Sequence, residues 1–296
     1  MKYIDPESLL KLSNLHLRAR TVVEGFISGM HESPYRGYSL EFVQHREYAP
    51  GDELRHIDWK IYGKTDKFFV KQFRDETNMR AYILLDTSKS MLFKSDTNMD
   101  KLTYGVHLVA ALSYLLLHQK DSVGVTLIDS RVRKFIPSRA NLSYFSTITE
   151  VLENIEPGDE TKITDSLDEF SKYLKRRGLI ILISDLFDEP ESILQSLRHL
   201  KFKHHDLIVF QIIDPAEANL PFKGRAIFES LETEGHLRRQ IYSEPELIQS
   251  EYSNLFNTFI ENYTTGCRQY GIDYCLLKTD TPFEIGLGSF LASRKA

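Results

Sequence analysis

Apolar residues recur along this chain in five short, nearly continuous runs, at residues 81–86, 122–128, 179–184, 207–213 and 272–277. Their length and their content of aliphatic and β-branched side chains predict strands. Continuous rather than alternating apolar runs are those of parallel strands covered on both faces. The stretches between them carry helical spacing. Leu102–Gln119 places Val106, Leu108, Val109, Leu112, Leu115 and Leu116 densely enough for a largely buried helix. Ser143–Glu153, Asp165–Lys175 and Pro190–Leu200 predict further helices, and Phe283–Ser293 a final helix or turn-rich cap. Pro245–Gln269 has the clearest amphipathic pattern, with Leu247, Ile248, Tyr252, Leu255, Phe256, Phe259, Ile260 and Tyr263 as its apolar side, and is expected to cover the sheet. Val132–Ile136, Ala226–Leu231 and Leu237–Ile241 predict short edge strands. The alternation as a whole predicts an α/β protein with a mostly parallel central sheet and helices on both faces.

Upstream of this alternation the pattern is different. Asp5-Pro6-Glu7 has the form of a helix start, with Leu9, Leu12, Leu15, Leu17 and Val22 as its apolar side. Gly25, Gly29 and Pro34 predict a loop after it. Leu40 and Phe42 mark a short extended segment, Pro50-Gly51-Asp52 a turn, and Lys67–Phe73 a second strand. The expected division is therefore a small N-terminal subdomain, residues 1–78, and a larger α/β domain, residues 79–296.

Composition narrows the function classes. Hydrophobic residues make up 42% of the 296 positions, as in an ordinary globular chain. Residues 1–78 carry 12 basic and 12 acidic side chains, so the net charge of −5 lies wholly downstream, and no region is basic enough to indicate nucleic acid. Arg176, Arg177, Lys201 and Lys203 read as a solvated helix face. Two cysteines, Cys267 and Cys275, make neither a metal-binding pair nor a disulfide framework. The N-terminus lacks an apolar signal core, and Val106–Leu117, interrupted by Ser113, is too short to span a bilayer. A cytoplasmic chain without a membrane span is expected.

The first predicted strand ends abruptly in Asp86-Thr87-Ser88-Lys89-Ser90. An acid and two hydroxyls at i, i+2 and i+4 on a loop leaving a strand tip can turn three oxygens toward one point, and such oxygen clusters suit hard divalent cations. The tips of parallel strands are also where open α/β sheets place their sites. Residues 179–184 repeat the idea, with the apolar run ending in Ser184-Asp185. Capping of the following helices is the structural alternative for these side chains.

The Asp-x-Ser-x-Ser pattern resembles that of the von Willebrand factor A-like fold and its metal-ion-dependent adhesion site, over about residues 79–296. The resemblance implies a three-layer α/β/α fold and a site for Mg2+ or Mn2+. Asp86, Ser88, Ser90, Thr161 and Asp185 match its ligand set. Glu160 stands where the pattern more usually has glycine, and Thr164 is the other candidate for the threonine. Gly51-Asp52, Arg55, Ile57-Asp58-Trp59 and Lys71-Gln72-Phe73, immediately ahead of Asp-x-Ser-x-Ser, resemble a bacterial family of MoxR-associated proteins known as domain of unknown function 58. That resemblance implies a non-enzymatic, metal-dependent interaction module. It also implies a MoxR-type AAA+ ATPase as partner in protein maturation or complex assembly, and a protein client whose Asp or Glu completes the metal shell. A metal-assisted phosphoesterase and a metal-free scaffold are the competing readings. Against enzymes in general, the chain has no Gly-x-Ser-x-Gly elbow, no His-Glu-x-x-His site and no phosphate-binding Gly-x-x-x-x-Gly-Lys loop.

Arg46, Asp52, Arg55, Asp58 and Trp59 form a second constellation, read either as an interdomain tie or as a partner-binding patch. Arginine–carboxylate pairs covered by an aromatic ring fix geometry, and the same residue types anchor interfaces. If the tie is buried, Arg55→Ala should cost about 3–5 kcal/mol in denaturant unfolding. Unchanged stability with weakened capture of the ATPase would assign the patch to partner binding instead.

Overall fold

The computed structural model describes residues 15–29, 39–48, 57–76, 79–95, 99–158, 162–222, 224–229 and 240–293. The chain runs α1 (Leu15–Gly29), β1 (Ser39–Glu47), α2 (Trp59–Thr65), β2 (Phe69–Glu76), β3 (Arg80–Asp86), a short 3-10 turn (Lys89–Leu92) and α3 (Lys101–His118). It continues through β4 (Ser122–Ile128), β5 (Val132–Arg139), α4 (Tyr144–Glu153), α5 (Ile163–Ser171), β6 (Leu179–Ser184), α6 (Pro190–Phe202) and β7 (Asp206–Ile213). The last elements are α7 (Pro215–Asn219), β8 (Ala226–Glu229), β9 (Gln240–Ser243), α8 (Pro245–Gln269), β10 (Asp273–Lys278) and α9 (Phe283–Ser293).

Six strands form the central sheet in the order β10-β7-β6-β3-β4-β5. All neighbours are parallel except β5, which closes one edge antiparallel to β4. The chain moves outward from β3 through β4 to β5, then crosses back to lay β6 on the other side of β3. That reversal opens a crevice at the C-terminal tips of β3 and β6, the place where doubly wound sheets bind ligands.

Strand alternation sends side chains to two cores. Ile83 and Leu85 join α3, α4 and α9 on one face, with Val125, Ile181, Ile183 and Phe210 from neighbouring strands. Tyr82 and Leu84 join α5, α6 and α8 on the other, with Leu182, Val209, Phe170, Leu197 and Tyr263. The result is three layers, α/β/α, as the periodicity predicts. α3 lies close against β3 because it carries Gly105 there: a Cβ at that position would stand 2.8 Å from Leu85 Cδ1.

The N-terminal pattern folds differently from expectation. Residues 1–14 lie outside the described residues, and so does the expected turn at Pro50-Gly51-Asp52. α1 runs from Leu15 through Gly25 to Gly29, where a loop is expected. Leu15, Ala19 and Val23, one turn apart, are buried in the α3/α4 core, and Tyr114 of α3 donates its hydroxyl to Glu24 at 3.4 Å. Packing on a ready surface outweighs the weak helix propensity of glycine. β1 and β2 pair antiparallel as a separate two-stranded sheet.

Two further expectations change. Thr164, the other candidate for the site's threonine, lies inside α5, which spans Ile163–Ser171 and not the expected 165–175. α8 has its predicted bounds but covers the sheet only through its second half. Phe256, Tyr263 and Cys267 are buried, whereas Leu247 and Leu255 are 79% and 66% exposed.

Gly105→Val should overpack the α3–β3 contact. A loss of about 1–3 kcal/mol in urea unfolding is expected, and a neutral result would mean that Leu85 can swing aside at no cost.

Candidate functional site

β3 delivers Asp86 to the sheet's crevice as a fully buried carboxyl. The backbone then turns so that Ser88 N–H donates back to Asp86 Oδ1 at 2.9 Å. From the adjacent parallel strand, the Ser184 hydroxyl donates to Asp86 Oδ2 at 2.6 Å and accepts from Leu186 N–H at 2.9 Å. The Ser88 and Ser90 hydroxyls stand 3.0 Å apart, with Ser90 on the partly exposed side. Asp86, Ser88, Ser90 and Asp185 are thus gathered at neighbouring strand tips. Thr161 lies outside the described residues. The loop leading to it is tied to the site at Gly158, whose N–H donates to Thr87 O at 2.7 Å. A Cβ at Gly158 would meet Asp129 Oδ2 at 2.3 Å, so the approach requires glycine.

The turn after Asp185 is strained. Leu186, fully buried, sits at φ 58°, a left-handed conformation that costs a non-glycine residue about 1–2 kcal/mol. It is held there from two sides, by the Ser184 hydroxyl on its N–H and by the Tyr263 hydroxyl, which donates to its carbonyl at 3.0 Å. Gln211 of β7 adds a bond from its side-chain amide to Asp185 O at 2.8 Å.

Lys101, the first residue of α3, is the unexpected member. Its side chain has no exposed surface, and its ammonium donates to Asp185 Oδ2 at 2.7 Å and to Glu217 Oε1 at 2.5 Å. The Phe187 ring lies 4.7 Å from the same nitrogen. Burial works against the charged lysine, but the carboxylates of Asp185 and Glu217 outweigh it and hold the ammonium above its ordinary value. Glu217 is itself shifted upward, because its burial outweighs the pull of Lys101. The short two-acid geometry favours the ionised bridge. Glu217 in turn accepts from Asp214 N–H at 2.8 Å in a capping box on α7. Asp214, the N-cap of α7, is a buried hub. It accepts from Ala216 N–H at 2.8 Å, from the N–H and hydroxyl of Ser95, and from the Thr279 hydroxyl at 3.0 Å. These bonds outweigh its burial and hold its carboxyl below the ordinary value.

Nothing in the apolar pattern singles out Lys101, which stands just ahead of the predicted Leu102–Gln119 helix. The Asp214-x-x-Glu217 spacing before a proline-headed helix is the available signal for the other half of the network. Asp100 caps α3 by accepting from Thr103 N–H at 2.7 Å.

The donor set is one that could hold a divalent cation. Serine hydroxyls and carboxylates are hard oxygen ligands. With all groups ionised, Asp86, Asp185 and Glu217 exceed the single ammonium by two negative charges. Among the described residues no group of three or more His, Cys, Asp or Glu is arranged to hold a metal ion. The candidate depends instead on hydroxyls beside two acids.

The second constellation is only partly described. Asp52 and Arg55 lie outside the described residues, and Arg46 is placed on β1 by its backbone. Asp58, 8% exposed, caps α2 by accepting from Lys60 N–H at 2.9 Å and Ile61 N–H at 3.3 Å, while its own N–H bonds to Phe69 O at 2.8 Å. Trp59 is 63% exposed, edge-on to Tyr62 at 6.1 Å, and Tyr62 stacks on Phe68 at 4.5 Å.

Among known proteins, the family described as "Protein of unknown function DUF58" matches residues 44–255. Uncharacterized proteins of Mycobacterium tuberculosis (Rv1480) and Mycobacterium bovis (Mb1516) are each 22% identical over 294 residues, covering 98% of this chain and 91% of theirs. The crystal structure of the conserved hypothetical protein BatB from Bacteroides thetaiotaomicron aligns with a TM-score of 0.46 at 15% identity, over 74% of this chain and 100% of that one. Among the described residues no helix is long and apolar enough to cross a membrane.

The buried acid at the tip of β3 predicts a pH dependence in metal-free protein. Burial first, and Asp185 second, push Asp86 up from 3.8 to about 7. A folded-state value above the unfolded one means that the stability from this group is complete below pH 3.8 and lost as pH rises through about 7. Chelated wild-type protein should therefore lose stability across that window relative to Asp86→Asn, by up to about 1.4 kcal/mol per pH unit. A constant difference between the two proteins, followed by urea unfolding at stepped pH, would refute it.

Proposed function

The chain belongs to the family described as protein of unknown function DUF58, and on that premise we propose that it is a non-catalytic interaction module that engages its partner through a divalent cation at the strand tips. Asp86, Ser88 and Ser90, with Asp185 and the loop of Thr161 around them, would hold Mg2+ or Mn2+. The bound ion would supply an electropositive centre for an Asp or Glu of the partner. The observation that carries this reading is the approach of the Ser88 and Ser90 hydroxyls to 3.0 Å beside a buried strand-tip carboxyl. The remaining residues position those oxygens. Ser88 N–H and the Ser184 hydroxyl fix Asp86, and Gln211 and Lys101 fix the Asp185 turn. The family resemblance supports a MoxR-type AAA+ ATPase as the partner, with a client protein in maturation or complex assembly.

A phosphoesterase reading needs Asp86 free to attack. Both of its oxygens accept hydrogen bonds and the side chain has no exposed surface, which favours holding a ligand over nucleophilic attack.

Co-purification with a MoxR-type ATPase from the same genome tests the proposal. Wild-type protein should capture the ATPase, and chelator or Asp86→Ala should each abolish capture, with metal restoring the wild type. Ser88→Ala and Ser90→Ala should weaken both Mn2+ binding and capture. Equal capture in every condition would leave only a metal-free scaffold. Loss in Asp86→Ala without a chelator effect would assign the acid a structural role.

A further inference from the structure

Lys101 stands where several physical terms oppose it. Its ammonium is buried, which removes its hydration, and it begins α3, where the helix dipole repels positive charge. It stays because two carboxylates close on it, Asp185 at 2.7 Å and Glu217 at 2.5 Å, with the Phe187 ring 4.7 Å away. Glu217 is not free to follow another cation, since its second oxygen is bonded to Asp214 N–H. Glu217 and Phe187 therefore keep the ammonium in place from sides other than Asp185.

We infer that Lys101 is a resident cation that competes with a divalent metal ion for Asp185, holding the site in a weakly binding, lysine-bridged state. The inference rests on the reading of Asp86, Ser88, Ser90 and Asp185 as a divalent-cation site. Two effects act in the same direction. Asp185 Oδ2 is engaged by the ammonium, so a metal ion gains little from that acid until the bridge opens. A fixed positive charge in a poorly hydrated crevice also repels a second cation far more than it would in water. Breaking the bridge requires an alternative partner for the lysine or a ligand that favours the ion. A partner carboxylate on the metal is such a ligand, and it makes metal and partner bind cooperatively. Neither alone needs to bind tightly.

The test is Mn2+ titration of metal-stripped full-length protein, followed by calorimetry and by the Mn2+ resonance signal. Lys101→Met removes the charge and keeps much of the side chain's bulk. Lys101→Met/Glu217→Gln also removes the charge but restores the cluster's formal charge to that of the wild type. Lys101→Met should bind Mn2+ at least about tenfold more tightly than wild type, and the double variant should keep most of that gain. Mn2+ should raise the melting temperature of both variants more than that of wild type. Adding Asp86→Ala to the Lys101→Met protein should remove the gain.

Unchanged or weaker binding in Lys101→Met would make the lysine a positioning residue and overturn the inference while leaving the metal site standing. A gain lost in the double variant would reduce the effect to net charge and overturn competition for Asp185. A gain that survives Asp86→Ala would place the ion elsewhere and also overturn it. Binding by neither wild type nor variants would end the metal reading itself, and the competition with it. If Lys101→Met alone does not fold, the double variant, which strands one acid rather than two, carries the comparison with wild type.

Discussion

One buried ammonium organises the C-terminal rim of this sheet. Lys101 belongs to α3, Asp185 to the turn after β6, and Glu217 to α7 beyond β7, so a single side chain ties three crossover connections together. Burying an ion is costly, and a bridge of this kind stabilises only when its geometry is good and every remaining bonding position is filled. Here the ammonium meets two acids at close range, and the second oxygen of each acid accepts a backbone N–H, from Phe187 for Asp185 and from Asp214 for Glu217. Glu217 is completed by Asp214 N–H, and Asp214 by Ser95, Ala216 and Thr279. The network therefore runs from the candidate site across to the tip of β10. The shared charge ties the first turn of α3, the turn after β6 and α7 to one another.

The geometry of the crevice follows from that tie. Asp86 is fixed by its own chain and by Ser184, while Asp185 is fixed by Lys101 and Gln211. Leu186 is held in a left-handed turn that a leucine adopts only under constraint, with Tyr263 of α8 reaching across to hold its carbonyl. Strain sustained by surrounding packing is a recurrent property of functional turns. Membership of DUF58 describes the chain's kinship, and the crevice supplies its chemistry: hard oxygen donors, buried carboxyls, and Ser90 on the partly exposed side.

The sheet is legible in the sequence because burial on both faces leaves unbroken apolar runs, as in residues 179–184, and because each run stops abruptly at a polar strand tip. Asp86 and Asp185 are found in this way, and α8 shows its bounds through a proline at one end and a long apolar stripe. The stripe does not reveal that Leu247 and Leu255 lack a covering surface, since periodicity records a face and not what meets it. The course of α1 through Gly25 and Gly29 is invisible for the converse reason: the helix is stabilised by Leu15, Ala19 and Val23 against α3, a surface formed from residues far downstream. Lys101 is hidden because its meaning lies in partners 84 and 116 positions away, and a lysine heading a helix ordinarily points to water.

Those separations also order events during synthesis. Lys101 leaves the ribosome well before either of its acids, and Glu217 follows 116 residues later. At about 5–20 residues per second, the ammonium waits roughly 6–23 s for its second carboxylate. Until then α3 can pack its apolar face on β3 and β4, but its first turn must stay open to solvent to keep the lysine hydrated. The rim of the nascent domain therefore cannot close before Glu217 is made, and a growing chain exposes the Asp86 loop to water, to ions and to chaperones before the finished protein draws it shut.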